Sequence, residues 1–222
     1  MVRASQVSPG QGCPPTSRSD DVTAQCPHCR GTGWVVVTTG RVKLCTCKIQ
    51  ARKRTQLLSL SPKFRGVSLE NYHPKNETQR VARERLLQEP DGSYFIFGDY
   101  GAGKTHVASA QFKIQIGNKK VLFKTTNELL HELQQMEMDS EYIAPAWQLL
   151  DERGHLFWDD ADKFKLTEFK AEAIYNLIDN LYRRQVGRTV TSNLSLRDLT
   201  DKVGPAVVRR IDDMCEVIEL RV

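Results

Sequence analysis

The chain has 222 residues, of which 40% are hydrophobic and 27% charged, with a formal net charge of +5. This length supports one substantial core and a small accessory module. No apolar run approaches the ~20 residues of a membrane span, and the N-terminus lacks the apolar segment of a secretory signal. Composition therefore favours a cytoplasmic protein with no membrane partner.

Positive charge is concentrated near the N-terminus. Residues 1–20 are rich in Pro, Gly, Ser and Gln, and we expect them to form a disordered tail. Between Val22 and Leu69 the chain has no acidic residue but nine basic ones, namely Arg30, Arg41, Lys43, Lys48, Arg52, Lys53, Arg54, Lys63 and Arg65. This asymmetry suggests a polyanionic partner, although a solvated linker would give the same pattern.

Four of the six cysteines lie in this basic stretch, in the spacing C-x2-C-x15-C-x-C. Two close pairs separated by a loop can converge on one tetrahedral centre, and zinc prefers thiolate ligands. We predict structural Zn²⁺ bound by Cys26, Cys29, Cys45 and Cys47, with His28 as the substitute if one cysteine is not used. Residues 21–50 would form a zinc-binding module, and residues 51–63 a basic linker.

The segment between the two cysteine pairs predicts a β-hairpin with Gly40 in its turn. Trp34, Arg41 and Lys43 would then share one small sheet, which is a plausible surface for single-stranded DNA. Trp34 could equally be the only core residue of so small a module.

Strands and helices alternate through residues 64–222. The pattern predicts helices at 78–87, 104–116, 127–138, 166–184 and 205–213, and strands at 94–97, 121–124, 155–158, 188–192 and 216–220. Such alternation is typical of a five-stranded parallel α/β sheet with helices on both faces. Chemistry in such a sheet collects beyond the carboxyl ends of the strands.

The first of these strands runs into the sequence GDYGAGKT, which matches the phosphate-binding pattern G-x-x-x-x-G-K-[ST] between a strand and a helix. Lys104 would reach the β- and γ-phosphates of ATP, and the Thr105 hydroxyl would bind Mg²⁺. We expect the nucleotide to be contacted along this loop by Gly98, Asp99, Tyr100, Gly101, Ala102, Gly103, Lys104, Thr105 and His106.

Two acidic residues end the apolar strand HLFWDD. Asp159 would hold Mg²⁺, and Asp160 would orient or deprotonate the attacking water. The following strand ends TVTSNL, so Asn193 reaches the same edge and could contact the γ-phosphate or the water. An isolated Asn in this position is more often a turn former.

The order of these motifs resembles that of the DnaC/DnaI-type helicase loaders and the related IstB-type transposition ATPases, both AAA+ proteins. The resemblance rests on GDYGAGKTHVA, the strand ending in DD, TSNLS and the late segment VVRRIDDMCEVIEL, and it covers residues 64–220. Zinc-type cysteines upstream resemble the N-terminal module of many loaders and are generally lacking in IstB-type ATPases. This difference favours a loader.

The resemblance implies an ATPase, weak in isolation, that binds a hexameric replicative helicase and places it on single-stranded DNA in a bacterial or bacteriophage-infected cell. It also implies self-association, with Asn193 as a sensor and Arg210 as an arginine finger that acts on a neighbouring subunit. Arg209 and Arg210 could instead be surface charges that pair with Asp212 or Asp213.

Other classes stay open at this stage. An IstB-type ATPase would regulate transposition on duplex DNA, and a zinc-stapled DNA-binding protein could carry a vestigial nucleotide site. A small-molecule kinase would need an arginine-bearing lid, for which no segment is evident. CPHCRGTG also matches one DnaJ-type zinc repeat, but such repeats occur in sets.

Overall fold

The computed structural model describes residues 26–37, 40–138 and 146–222. The tail predicted to be disordered, residues 1–20, lies outside this range. The chain divides into two compact units, Met1–Arg54 and Thr55–Val222. No helix among the described residues is long and apolar enough to cross a membrane.

The first unit contains the predicted hairpin. Strands β1 (Trp34–Val36) and β2 (Val42–Leu44) pair antiparallel, with Trp34 opposite Leu44. Because side chains alternate along a strand, Val35 packs against the cysteines while its neighbours face away from them. Trp34 is 48% exposed, so it is a surface residue of this unit rather than its core.

Residues 51–57, which lie in the segment predicted to be a basic linker, are helical. They belong to α1 (Thr46–Leu57), whose sequence TCKIQARKRTQL has no Gly or Pro and is rich in Lys, Arg and Gln. These residues have high helix propensity because their unbranched stems lose little rotamer freedom in a helix. The positive charge of this segment therefore does not determine its backbone conformation.

The second unit is built on the predicted five-stranded parallel sheet. Its strands are β3 (Tyr94–Gly98), β4 (Val121–Thr125), β5 (His155–Asp159), β6 (Gly187–Ser192) and β7 (Glu216–Leu220). They lie in the order β4-β5-β6-β3-β7, and every neighbouring pair is parallel. This order brings the carboxyl ends of β5, β6 and β3 side by side.

The structure describes seven α-helices in this unit, five of which lie where the sequence predicts helices. They are α2 (Pro62–Arg65), α3 (Glu77–Gln88), α4 (Lys104–Gln115), α5 (Thr126–Met138), α6 (Glu168–Arg183), α7 (Leu196–Val203) and α8 (Pro205–Met214), with a 3-10 helix at Ala146–Leu149. Helix α5 begins with a capping box, since Glu128 accepts the Thr125 N–H at 2.7 Å and the Thr125 hydroxyl oxygen accepts the Glu128 N–H at 3.3 Å.

Helix α7 was not predicted. It is eight residues long, and its Leu196, Leu199 and Val203 recur at i, i+3 and i+7, a helical period that the prediction did not use. Its start was encoded as well, because the Ser195 side chain accepts the Asp198 N–H in the manner of an N-cap.

Helices cover both faces of the sheet. Alternate side chains of β5 point to opposite faces: Leu156 and Trp158 join a core with α5, α6, α7 and α8, whereas Phe157 joins one with α4. Along β3, Phe95 belongs to the first of these cores, and Tyr94 and Ile96 pack with α3 and α4. Burying both faces holds the strand ends in fixed register, which is what a site at their tips requires.

Candidate functional site

The loop between β3 and α4 depends on two glycines. Gly98 has φ 134° and Gly103 has φ 96°, both in the region that side chains rarely adopt. A Cβ atom on Gly98 would lie 1.9 Å from the Leu220 carbonyl oxygen, and one on Gly103 would lie 2.9 Å from the Tyr72 ring. At these two positions the backbone lies so close to neighbouring atoms that no residue other than glycine would fit.

Lys104 begins α4 and is only 7% exposed. Its ammonium donates to the carbonyl oxygens of Gly98 (2.8 Å) and Asp99 (2.7 Å) within the loop. Burial lowers the pKa of Lys104, and the nearby carboxylates of Asp162 and Asp160 oppose that shift. An ammonium held this way inside a concave loop is suited to an anion.

Asp159 is the last residue of β5, and its carboxylate accepts hydrogen bonds from two threonine hydroxyls. The Thr105 hydroxyl donates to its carboxylate at 3.0 Å, and the Thr191 hydroxyl donates to the same oxygen at 2.5 Å. Burial raises the pKa of Asp159, while these hydrogen bonds oppose the shift. The hydroxyl of Thr105 and the carboxylate of Asp159 are hard oxygen ligands of the kind that Mg²⁺ takes.

Asp160 adopts φ 57°, the left-handed conformation that Asp tolerates better than most residues. Its N–H donates to the Thr191 hydroxyl at 3.0 Å, and its carbonyl accepts from Thr126 at 2.6 Å. Burial and then the nearby Asp162 raise the pKa of its carboxyl group. These bonds fix the backbone turn that aims the Asp160 side chain into the cleft.

Asn193 follows β6 and is held by a third carboxylate, Asp162. The Asn193 N–H donates to Asp162 at 2.8 Å, and its side-chain amide donates to both carboxylate oxygens at 3.1 and 2.9 Å. Burial alone would raise the pKa of Asp162, but the hydrogen bonds from Asn193 bring it below its usual value. Lys202 of α7 donates to the Asp162 carbonyl at 2.7 Å and fixes the same turn.

A cleft of about 440 Å³ collects most of the predicted residues. Of the residues predicted to bind nucleotide or to act on it, the cleft is lined by Tyr100, Gly101, Gly103, Lys104, Thr105, His106, Asp160 and Asn193. The other predicted residues, Gly98, Asp99, Ala102 and Asp159, do not line it, although Lys104 donates to the carbonyls of Gly98 and Asp99 and Thr105 donates to Asp159. The cleft is also lined by Lys63, Phe64 and Lys163, which were not predicted to contact a nucleotide.

Arg210, the predicted arginine finger, does not line this cleft. Its guanidinium donates to Asp179 of α6 at 2.6 Å and to the Tyr175 hydroxyl at 3.2 Å, and it lies over the Tyr175 ring at 4.9 Å. Burial is the largest single effect on the pKa of Arg210 and lowers it, but the hydrogen bond to Asp179 and the interactions with Tyr175 together raise it above its usual value. Arg210 therefore forms its ion pair with Asp179. The alternative, a surface charge paired with Asp212 or Asp213, named the wrong partners.

The four cysteines of the first unit form one buried cluster. The Sγ atoms of Cys26 and Cys45 are 3.7 Å apart, those of Cys29 and Cys47 are 3.5 Å apart, and all four lie within 4.8 Å of one another. Tetrahedral Zn–S bonds of about 2.3 Å place ligand sulfurs about 3.8 Å apart, so the cluster fits zinc. His28 is exposed and is not part of it.

Two residues that hold this candidate site together were not predicted, for identifiable reasons. Thr191 is one strand residue among several, and only the pairing of β5 with β6 shows that its hydroxyl joins Asp159 to the Asp160 backbone. Asp162 was visible as the last acidic residue of DDAD, but its role needs the adjacent strand that carries Asn193.

The parallel sheet, the phosphate loop and the carboxylates at the strand tips together define a P-loop nucleotide-binding protein with the AAA+ fold. The sequence profile of the family described as IstB-like ATP binding protein matches residues 87–221. The chain belongs to this family. A comparison with curated protein sequences found no significant match.

Solved structures share the fold. The DnaC helicase loader is 24% identical, with a TM-score of 0.64 over 72% of this chain and 99% of that chain. DnaI is 18% identical, with a TM-score of 0.57 over 72% and 91%. DnaA from Aquifex aeolicus bound to AMPPCP is 20% identical, with a TM-score of 0.60 over 72% and 51%.

Proposed function

We propose that this chain hydrolyses ATP and uses its nucleotide state to place a ring-shaped replicative helicase on single-stranded DNA. The observation that supports the ATPase part is the cleft in which Lys104, Asp160 and Asn193 converge from three different strand ends. An accidental glycine-rich turn would not bring a hydrogen-bonded Thr105–Asp159 pair to the same place.

ATP would replace contacts that the loop now makes with itself. The Lys104 ammonium, bonded here to two loop carbonyls, would transfer to the β- and γ-phosphate oxygens, whose charge makes a stronger acceptor. Phe64 lines the same cleft and offers an aromatic face to the adenine ring. Thr105 and Asp159 would hold Mg²⁺, which when bound supplies positive charge to the phosphates.

Hydrolysis would then proceed by in-line attack. A water oxygen forms a bond to the γ-phosphorus while the bond from that phosphorus to the β,γ-bridging oxygen breaks, and the electron pair leaves with ADP. The Asp160 carboxylate orients the water and accepts its proton, which passes on to the phosphate product or to solvent. The Asn193 amide, held by Asp162, orients the γ-phosphate or this water.

The first unit would bind zinc and contact DNA. A closed set of four thiolates leaves no open coordination position, so the metal would be structural. Trp34 is exposed, and the Lys48 ammonium lies 5.8 Å from its ring centroid. An aromatic ring beside basic side chains suits the bases and phosphates of a single strand. Duplex DNA would offer no unstacked base to this ring.

Helicase loading is favoured over transposition by the buried cysteine cluster, because the resemblance associates such a module with loaders. Membership of the IstB-like family supports the second candidate, an ATPase that acts with a transposase on duplex DNA. Self-association through AAA+ interfaces would place Arg210 of one copy near the nucleotide of the next, once the guanidinium leaves Asp179.

The two candidates can be separated on covalently closed circular single-stranded DNA. A ring helicase cannot thread such a circle without being opened, so retention of the helicase on it reports loading. We expect retention to require this protein and ATP, and to be lost with Lys104→Ala but kept with Lys165→Ala, an exposed lysine outside the cleft.

The contrary result is equally specific. The loader proposal is wrong if the helicase neither binds this protein nor stays on the circle. If this protein also retains a transposase on duplex DNA in the presence of ATP, it is an ATPase of transposition. If single-stranded DNA binding does not weaken with added salt, the proposed contact with several phosphates is wrong.

A further inference from the structure

A second lysine enters the cleft from the turn that follows β5. The N–H of Lys163 donates to the Asp160 carbonyl at 2.9 Å, which closes a turn directly after the predicted catalytic aspartate. Its ammonium lies 2.9 Å from the Tyr100 hydroxyl and 4.3 Å from the centroid of the Tyr100 ring. Tyr100 belongs to the phosphate loop, so the contact joins two loops across the nucleotide site.

The Lys163 ammonium has no anionic partner. Among the described residues no carboxylate lies within ion-pair distance of it. The neighbouring Asp162 already accepts three hydrogen bonds from Asn193. Lys163 lines a cleft that is suited to a polyanion, but its ammonium contacts only the neutral Tyr100 phenol there. Tyr100 itself is 72% exposed.

We propose that Lys163 is a ligand of the terminal phosphate of ATP, supplied by the same chain as the phosphate loop, and that Tyr100 holds its ammonium over the site until the nucleotide arrives. This inference rests on the proposed ATPase function. The terminal phosphate is its target because Lys163 shares a turn with Asp160 and adjoins the residue that holds Asn193, the two side chains proposed to act at that phosphate.

If the Lys163 ammonium leaves the Tyr100 hydroxyl for an oxygen of the γ-phosphate, it favours binding of ATP over ADP. A hydrogen bond from an ammonium to a charged oxygen is stronger than one to a phenol, and ADP has no γ-phosphate to offer. The same ammonium would oppose the charge that develops on the transferring phosphoryl group, and loss of one such preorganised donor typically slows an enzyme about 10²-fold. Lys163 would contact the reacting group, whereas Tyr100 would be a positioning residue.

The test compares four variants of the full chain: Lys163→Ala, Lys163→Arg, Tyr100→Phe and, as the matched control, Lys165→Ala. Affinities for ADP and for the slowly hydrolysed analogue ATPγS, the turnover number and the melting temperature are measured for each. We expect Lys163→Ala to bind ATPγS about 10-fold more weakly, to bind ADP as the parent does, and to turn over about 10²-fold more slowly.

The remaining variants refine the assignment. Lys163→Arg should recover most of the preference for ATPγS over ADP, because it restores the charge. Tyr100→Phe should bind ATPγS a few-fold more tightly relative to ADP, since the ammonium no longer has to leave a hydroxyl. Lys165→Ala should match the parent in every measurement.

Three outcomes would overturn the inference. Unchanged turnover and unchanged nucleotide preference in Lys163→Ala would show that the ammonium does not reach the phosphate. Equal loss of ADP and ATPγS affinity would place Lys163 at another part of the nucleotide or in the fold. A parent protein that binds neither nucleotide would refute the proposed ATPase and this inference together, whereas the first two outcomes leave the ATPase standing.

Discussion

Removal of the Asp162 carboxylate should both destabilise the second unit and disorder Asn193. Asp162 is 6% exposed and accepts hydrogen bonds from the backbone N–H and the side-chain amide of Asn193. Hydrogen bonds to a charged group are worth ~1.5–3 kcal/mol each, and those from Asn193 share one carboxylate, so their contributions do not simply add. We therefore expect Asp162→Ala to lower the free energy of unfolding by about 2 kcal/mol.

This loss converts into a fall in the melting temperature of about 4–8 °C for a domain of this size. The melting temperature of Asp162→Asn should fall less than that of Asp162→Ala, because the amide oxygen of the new side chain can still accept a hydrogen bond from Asn193. Without its partner the Asn193 amide is free to rotate, and misplacement of a catalytic contact by an ångström costs about 10²-fold in rate. Asp201→Ala, which removes an exposed carboxylate of α7, is the control and should change neither quantity.

A double-mutant cycle decides whether Asp162 acts through Asn193. If it does, the turnover of Asp162→Ala, of Asn193→Ala and of the double variant should be nearly equal, because each removes the same unit. Turnover losses that multiply in the double variant would refute the reasoning, since Asp162 would then contribute independently of Asn193.

Three further changes test the zinc module, the buried histidine and the arginine. Cys45→Ser should lose the roughly one zinc per chain and unfold only the first unit, as measured by elemental analysis and limited proteolysis, because so small a module depends on its metal. Burial lowers the pKa of His155 to about 3, so the unfolded chain takes up a proton near pH 6.5 that the folded chain refuses. Stability should therefore fall as the pH drops from about 6.5 toward 3, by up to ~1.4 kcal/mol per pH unit in urea denaturation, and more steeply than in His155→Gln. Mixing inactive Lys104→Ala and Arg210→Ala chains should restore part of the ATPase activity, because some interfaces then pair an intact loop with an intact arginine.

Each of these has a contrary result. Zinc retained by Cys45→Ser, or zinc lost equally from Cys13→Ser, would contradict the assigned ligand set. Equal pH slopes for the parent and His155→Gln would mean that His155 takes up its proton in the folded state. No recovery in the mixture, under conditions in which oligomers are shown to form, would mean that Arg210 acts in its own chain or has no role in hydrolysis.

Several features of this protein could be predicted from local sequence because they are set locally. The phosphate loop needs glycines at Gly98 and Gly103, where φ is positive and neighbouring atoms leave no room for a side chain. The strands are short apolar runs between helical patterns, and such alternation permits few arrangements other than a parallel sheet. The spacing of the cysteine pairs likewise predicted a cluster that the structure shows.

Local sequence also carried signals that the predictions did not use. The segment 51–63 was predicted to be a basic linker, and residues 51–57 within it form part of α1, as their helix propensity favours. Helix α7 was not predicted although Leu196, Leu199 and Val203 recur at helical spacing, and its Lys202 fixes the turn at Asp162.

Contacts between distant parts of the chain were decided only by the tertiary structure. Residue 191 must lie on the strand beside β5 before its hydroxyl can bond to Asp159, and Asp162 acquires a role only when Asn193 reaches it from the end of β6. The family resemblance implied that Arg210 is an arginine finger, but its ion pair with Asp179 depends on how α8 packs against α6. The motifs thus specified which groups are present, and the strand order and helix packing specified which of them meet, because a hydrogen bond depends on distances in space that separation along the chain does not determine.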